Sequence, residues 1–299
     1  MRRSHLDAFA IGTLSILCLT WGLNQVAAKV ALLTFPPLLQ VGLRSAGAGA
    51  LVIGWCAMTG RGALAKRDGT LFWGLLAGLL FAVEFALIFV GLQWTDAART
   101  ALFIYTAPFF VALGALWLLP EERFSKMQWL GLILSFCGVA VALGVPHAVP
   151  SPKAFLGDVL VLIAGALWAA TTLVIKASRL RLASPEKVLI YQLAVSAVAA
   201  LAVSYVVGEQ LGPITGLAVG SLAFQTIWVA GITYLVWFWL LSHYPASPLQ
   251  AGTSMTPLFG IVGAFLLLGE PISLSFAGSA FLVILGLVLV NRRKPLNVQ

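Results

Sequence analysis

Residues 69–92 read GTLFWGLLAGLLFAVEFALIFVGL, an apolar run interrupted by a single charge, Glu84. At 1.5 Å per residue such a helix is about 36 Å long, enough to cross a hydrocarbon core of about 30 Å. Runs of the same kind recur near 6–29, 36–58, 97–119, 125–144, 154–177, 185–207, 217–242, 246–268 and 273–291, so ten spans are expected. Little is left outside them. The longest connection, Val145 to Lys153, holds three prolines and has no room for a soluble domain. Composition agrees: of 299 residues 61% are apolar and 9% charged, too few polar groups to cover a soluble surface.

The net charge of +8 and the pI near 9.8 fit a nucleic-acid partner less well than a membrane, because of where the charges fall. If the N-terminus is cytoplasmic, that side receives Arg2, Arg3, Arg61, Lys66, Arg67, Arg123, Lys126, Lys176, Arg179, Arg181, Lys187, Arg292, Arg293 and Lys294. The opposite side keeps Lys29, Arg44, Arg99 and Lys153. Fourteen against four is a positive-inside bias that places both termini in the cytoplasm and requires an even number of spans. Cys18, Cys56 and Cys137 all fall within apolar spans at no metal-like spacing and read as small buried hydrophobes. The first apolar run continues into Trp21-Gly22-Leu23-Asn24-Gln25 without a cleavage site, so it reads as a span and not as a signal peptide.

Comparing the halves 1–148 and 149–299 at an offset near 148 pairs Trp21 and Lys29 with Trp168 and Lys176. It also sets Arg44 opposite Gln192, Glu84 opposite Thr233, Ala97 opposite Ala246, Pro108 opposite Pro257 and Glu121 opposite Glu270. Each match is weak alone, but a nearly constant offset favours duplication. Five spans per half turn the second copy upside down. Inverted repeats set a ligand site near the bilayer midplane, where the halves meet. The fold class expected is therefore an all-α integral membrane protein, ten transmembrane helices in two inverted five-helix repeats around a central cavity.

Thr20-Trp21-Gly22 with Ala28-Lys29, the second-span Arg44, the Pro108 and Pro257 spans, and Glu121-Glu122-Arg123 before Trp129-Leu130-Gly131 resemble the drug/metabolite transporter superfamily. The resemblance is to its ten-span EamA-type exporters and covers essentially the whole chain. It implies EamA-like repeats at 1–148 and 149–299. The Tyr105-x-x-Pro108 spacing and Trp168 are similar to aromatic cavity positions of the YddG-type amino-acid exporters. The tryptophan that those exporters can carry before the proline is Ala107 here. The resemblance implies export of amino acids or similar small amphipathic metabolites through a bacterial inner membrane. A drug, quaternary-amine or nucleotide-sugar carrier remains an alternative, although nucleotide phosphates call for more basic groups. An intramembrane enzyme or a channel is a further alternative.

His5, His147 and His243 have no partners at ligand spacing, and neither a P-loop nor a Rossmann glycine signature is present. No metal, cofactor or nucleic acid is expected, and a monomer is compatible with the sequence. Transport without a nucleotide site draws on a gradient. Trp21, Asn24 and Gln25 in the first span, and Trp168, Thr171 and Thr172 in the sixth, form matching polar-aromatic stripes at helical spacing. Buried amides need protein or water partners, so these stripes line a cavity or glue helices together. Tyr105, three residues before Pro108, joins the candidate substrate site, whereas Trp237 and Trp239 read as interfacial anchors. Pro108 and Pro257 should kink the fourth and ninth spans, as hinges or as static packing. The glycines of Gly74-x-x-x-Gly78 and Gly208, Gly212, Gly216 and Gly220 permit close helix approach. Arg44 and Glu84 are the most deeply placed charges, each about 12 Å below the same end of the bundle. They are expected either to form a fixed charge pair or to couple proton movement to transport.

Overall fold

The structure, a computed structural model, describes residues 6–60, 68–118, 125–146, 152–244, 249 and 252–291. Arg2, Arg3, His5, Arg61, Lys66, Arg67, Glu121, Glu122, Arg123, His147, Ala246, Arg292, Arg293 and Lys294 lie outside the described residues, as does 147–151 of the Val145–Lys153 connection. Among the described residues every regular element is helical. In chain order these are α1 (Ala8–Ala31), α2 (Pro37–Met58), α3 (Leu71–Trp94), α4 (Ala97–Ile104), α5 (Ala107–Leu118) and α6 (Lys126–Gly144). After them come α7 (Ala154–Ala177), a short 3₁₀ turn, α8 (Pro185–Val206), α9 (Gly216–Ala223), a π-helical stretch (Phe224–Thr233) and α10 (Tyr234–His243). The last two helices among the described residues are α11 (Thr256–Leu268) and α12 (Leu274–Asn291).

Seven of the helical runs are long and apolar enough to cross a membrane: α1, α2, α3, α6, α7, α8 and residues 216–237. Three shorter apolar runs, 97–111, 256–268 and 274–290, complete the ten. The fourth and ninth spans are shorter for a shared reason. The sequence predicts a proline kink within a continuous helix; the structure breaks the helix just ahead of each proline and starts a new one. Pro108 and Pro257 each take the second position of a fresh helix, where a missing N–H costs nothing. At the first break Thr106 N–H and Oγ1 both donate to Phe103 O, and Thr106 O accepts from Phe109 N at 2.8 Å. At the second, Met255 N donates to Gly252 O and Met255 O accepts from Leu258 N, both at 3.1 Å.

The packing follows a twofold relation between the halves. At an offset near 148, α1 against α11 corresponds to α7 against α5, while α2–α8 and α6–α12 each map onto themselves. The self-matched pairs are tied by small residues. Ser45 and Ser196 hydroxyls meet at 3.0 Å across α2–α8. In α6–α12 a Cβ on Gly286 would fall 2.5 Å from Gly131 O and against the backbone N of Ser135, so only glycine fits. Gly74 and Gly78 serve the same end inside the chain, seating α3 on Tyr191 and Val195 of α8. In the later glycine series Gly212 lies against Leu33 O, Gly208 holds a left-handed turn, and Gly216 and Gly220 face open space. Large exposed apolar side chains such as Phe9, Ile16, Phe72, Phe136 and Phe281 form the surface that lipid covers.

Two acids complete helix N-termini across the repeat boundary. Glu209, after α8, accepts from Leu38 N and Leu39 N in the first turn of α2, and Ser204 Oγ donates to it. Glu270, after α11, accepts from Ala97 N at 2.8 Å and Ala98 N at 2.9 Å, the first two residues of α4. Each carboxylate satisfies two backbone donors that an isolated helix start leaves open. Asp68, after α2, meets the start of α8 through Lys187 Nζ at 2.8 Å.

Candidate functional site

α1 brings Trp21, Asn24 and Gln25 to the interior. The Trp21 indole N–H donates to Thr233 Oγ1 at 2.8 Å, and its ring stands edge-on to Tyr234 and Trp237. Trp237, expected as an interfacial anchor, is instead part of this aromatic packing, while Trp239 stacks on His243 and remains exposed. The π-helical stretch lies just before this contact. Its wider turn leaves Thr233 and Tyr234 facing α1 and α2, and Trp228 donates to Thr20 Oγ1 at 3.2 Å. Sequence periodicity carries no mark of this stretch, because one extra residue per turn barely alters an apolar pattern.

Tyr105 sits in the break between α4 and α5, buried, with its ring edge-on to Trp168 of α7 at 5.5 Å between centroids. Thr256 Oγ1, buried in the first turn of α11, has no hydrogen-bond partner among the described residues. Thr171 is buried with its hydroxyl donated back to Leu167 O at 3.0 Å, and Thr172 does the same to Trp168 O. Their acceptor lone pairs alone remain for other partners. Trp21, Phe85, Tyr105, Trp168 and Tyr234 belong to one continuous apolar cluster drawn from both halves.

Arg44 and Glu84, which the sequence offers as a charge pair or a proton-coupling switch, make no hydrogen bond to each other among the described residues. Arg44 is fully buried on α2; its Nη2 donates to the Tyr234 hydroxyl at a long 3.5 Å, and the guanidinium lies 4.3 Å from the Phe85 ring centroid. Among the described residues Arg44 Nε and Nη1, and Glu84 Oε2 on α3, have no hydrogen-bond partner. Asn24 Oδ1 and Gln25 Oε1 are likewise unpartnered. One turn from Arg44, Gln40 donates to Ala28 O on α1 at 3.3 Å and to Gln225 Oε1 at 3.2 Å. Since α1 and α2 run antiparallel, this contact sets Arg44 level with Asn24.

A second polar region occupies the end of the bundle carrying the α6–α7 connection. Sequence reasoning left Arg44 and Glu84 as the buried charges, but Arg99 and Asp158 are buried too. Arg99 Nε and Nη2 reach Asp158 at 2.6–3.1 Å, and the remaining donors cap Ala142 O and Val145 O at the end of α6. Thr95 Oγ1 also donates to Asp158. Lys29 Nζ donates to Leu92 O at 2.6 Å and to Thr95 O, closing α1 onto the end of α3. Beside them a cleft of about 310 Å³ is lined by Asp96, Arg99, Glu270, Ser273 and Phe276 among others. Burial pushes the Glu270 carboxyl above its usual range, more than the Ala98 and Ala97 donors pull it down; Asp96 adds to the rise and Lys29 opposes it. The available signal was an acid and a base, Asp158 and Arg99, each a few residues inside an apolar run at the same end.

The sequence model of the EamA-like transporter family matches residues 8–144 and again 155–292. The chain belongs to the EamA-like transporter family. Among its relatives, an uncharacterized transporter YvbV of Bacillus subtilis (strain 168) is 29% identical over 282 residues, covering 94% of this chain and 90% of the relative. A probable amino-acid metabolite efflux pump of Salmonella typhimurium is 26% identical over 290 residues, covering 92% of each. A solved crystal structure superimposes with a TM-score of 0.67 over 95% of this chain and 96% of the other; at 20% identity it shows the fold alone. Both the family and these relatives are transporters and not enzymes, and the chain is a multi-pass membrane transporter.

Proposed function

We propose that this EamA-family member exports amino acids or similar small amphipathic metabolites across a bacterial inner membrane by alternating access, with both termini cytoplasmic. The observation that carries the reading is the pair of helix breaks at matched positions, before Pro108 and before Pro257, flanking one aromatic cluster built from both halves. A break frees each half-span to swing without bending a continuous helix, and Tyr105 sits within the first. The substrate site comprises Trp21, Asn24, Gln25, Tyr105, Trp168 and Thr171, and Pro108 and Pro257 mark the hinges. The name of the Salmonella relative supports both substrate class and direction.

Counterflow in liposomes, with labelled amino acids, quaternary amines and nucleotide sugars, tests the reading. Saturable exchange of amino acids is expected. Exchange confined to nucleotide sugars, or flux rising linearly with concentration as through a channel, would overturn it. Cysteines placed near residue 299 and in the α6–α7 connection test orientation, and labelling of the C-terminus from outside intact cells would refute the topology.

A further inference from the structure

Four side chains on α1, α2 and α3 are more than nine-tenths buried, and each keeps a polar atom without a hydrogen-bond partner among the described residues: Asn24 (6% exposed), Gln25 (6%), Arg44 (0%) and Glu84 (4%). Buried polar groups are otherwise hydrogen-bonded, and an unmatched buried charge is costlier still. Arg44 and Glu84 do not relieve each other, since among the described residues neither Nε, Nη1 nor Oε2 finds a hydrogen-bond partner. The unmet atoms divide by chemistry. Arg44 offers N–H donors carrying positive charge, which a carboxylate accepts in pairs. Asn24 Oδ1, Gln25 Oε1 and Glu84 Oε2 offer three acceptors, and a primary ammonium has three donors.

We infer that Arg44 receives the α-carboxylate, and Glu84 with Asn24 and Gln25 the α-ammonium, of a zwitterionic amino acid. Resting on the amino-acid reading above, this assigns the recognising atoms and the substrate class. Phe85 flanks the guanidinium, and Trp21 and Tyr234 continue from it toward Tyr105 and Trp168, so the substrate side chain meets an apolar, aromatic wall. Tyr234 holds Arg44 loosely, at 3.5 Å, and an incoming carboxylate displaces little. A molecule with the carboxylate alone leaves the three acceptors unmet, and one with the ammonium alone leaves the guanidinium unmet. Both sets of unmet atoms find partners when the two groups arrive on one molecule. That requirement separates zwitterions from simple amines and simple acids of the same size.

Three probes sharing one side chain test this: L-phenylalanine, phenethylamine and 3-phenylpropanoate, each competing against labelled L-phenylalanine in counterflow. In the wild type the zwitterion should compete at least about tenfold better than either half-molecule, the worth of one unmatched polar group. Arg44→Gln should erase the advantage over phenethylamine, and Glu84→Gln the advantage over 3-phenylpropanoate. If Arg44→Gln does not fold, Glu84→Gln and Asn24→Leu carry the test through the ammonium side. Half-molecules competing as well as L-phenylalanine in the wild type, or folded Glu84→Gln and Asn24→Leu keeping wild-type discrimination, would overturn the assignment while leaving amino-acid transport intact. If no α-amino acid of a full panel is exchanged, the transport reading fails and this assignment with it.

Discussion

Replacing Asp158 by alanine removes the carboxylate that pairs with Arg99 and leaves a guanidinium that is 2% exposed without that counter-ion. The side chain loses three short contacts, at 2.6, 3.0 and 3.1 Å, and Thr95 Oγ1 loses its acceptor. Breaking a buried pair by deleting one partner costs about 3–5 kcal/mol, because the remaining charge stays desolvated. Arg99 keeps Ala142 O and Val145 O, which places the loss toward the lower end of that range. At about 2–4 °C per kcal/mol, the melting midpoint in detergent should fall by roughly 6–12 °C. A double replacement, Arg99→Met with Asp158→Leu, removes both charges and should recover most of that loss, since well-packed apolar residues substitute for buried ion pairs at little net cost. Thermal unfolding followed by tryptophan fluorescence reads both effects. A midpoint within about 2 °C of wild type for Asp158→Ala, or a double variant below the single one, would refute the reasoning.

Alanine at Tyr105 or Trp168 removes an edge-on ring contact worth about 0.5–1.5 kcal/mol, so relative uptake among aromatic and small substrates should change by about two- to tenfold; unchanged ratios in counterflow would remove both from the site. Gly286→Val drives a side chain into Gly131 O and the Ser135 backbone, and should abolish the monodisperse peak in size-exclusion chromatography, whereas the same change at Gly216, which faces open space, should not. Because burial raises the folded Glu270 carboxyl, the folded chain holds that proton more tightly than the unfolded one. Stability should therefore fall as pH rises from about 4.3 toward the folded value and level off above it. Glu270→Gln should flatten that slope in melting midpoints taken across pH, and an identical slope would show that another group sets it.

Spans and their even number were legible because each depends on twenty or so neighbouring residues and on charges at their ends, as in 69–92. The twofold relation was legible through Trp21/Trp168 and Pro108/Pro257, which keep their offset. What the prolines do was less so. Kink and break share the same missing donor, and what distinguishes them is how Thr106 and Met255 turn the backbone, which depends on the packing around them. Arg44 and Glu84 were legible as buried charges but not as unpaired ones, since equal depth fixes height and not azimuth around the bundle axis. Arg99 counted in the sequence only as a charge on one side of the membrane and Asp158 drew no reading, because it is the folding of α4 against α7 that sets them face to face.

The carboxylate that caps α4 lies 173 residues further along the chain than the backbone it serves. At about 5–20 residues per second of synthesis, Ala97 and Ala98 wait roughly 9–35 s for Glu270. During that interval an eight-residue helix with open N–H groups has to be sheltered by water, headgroups or the insertion machinery. The first half therefore leaves the ribosome as an unfinished body, and its fourth span settles when the second half delivers the missing acid. The duplicated gene makes two halves that resemble each other, yet on the clock of translation they are donor and recipient.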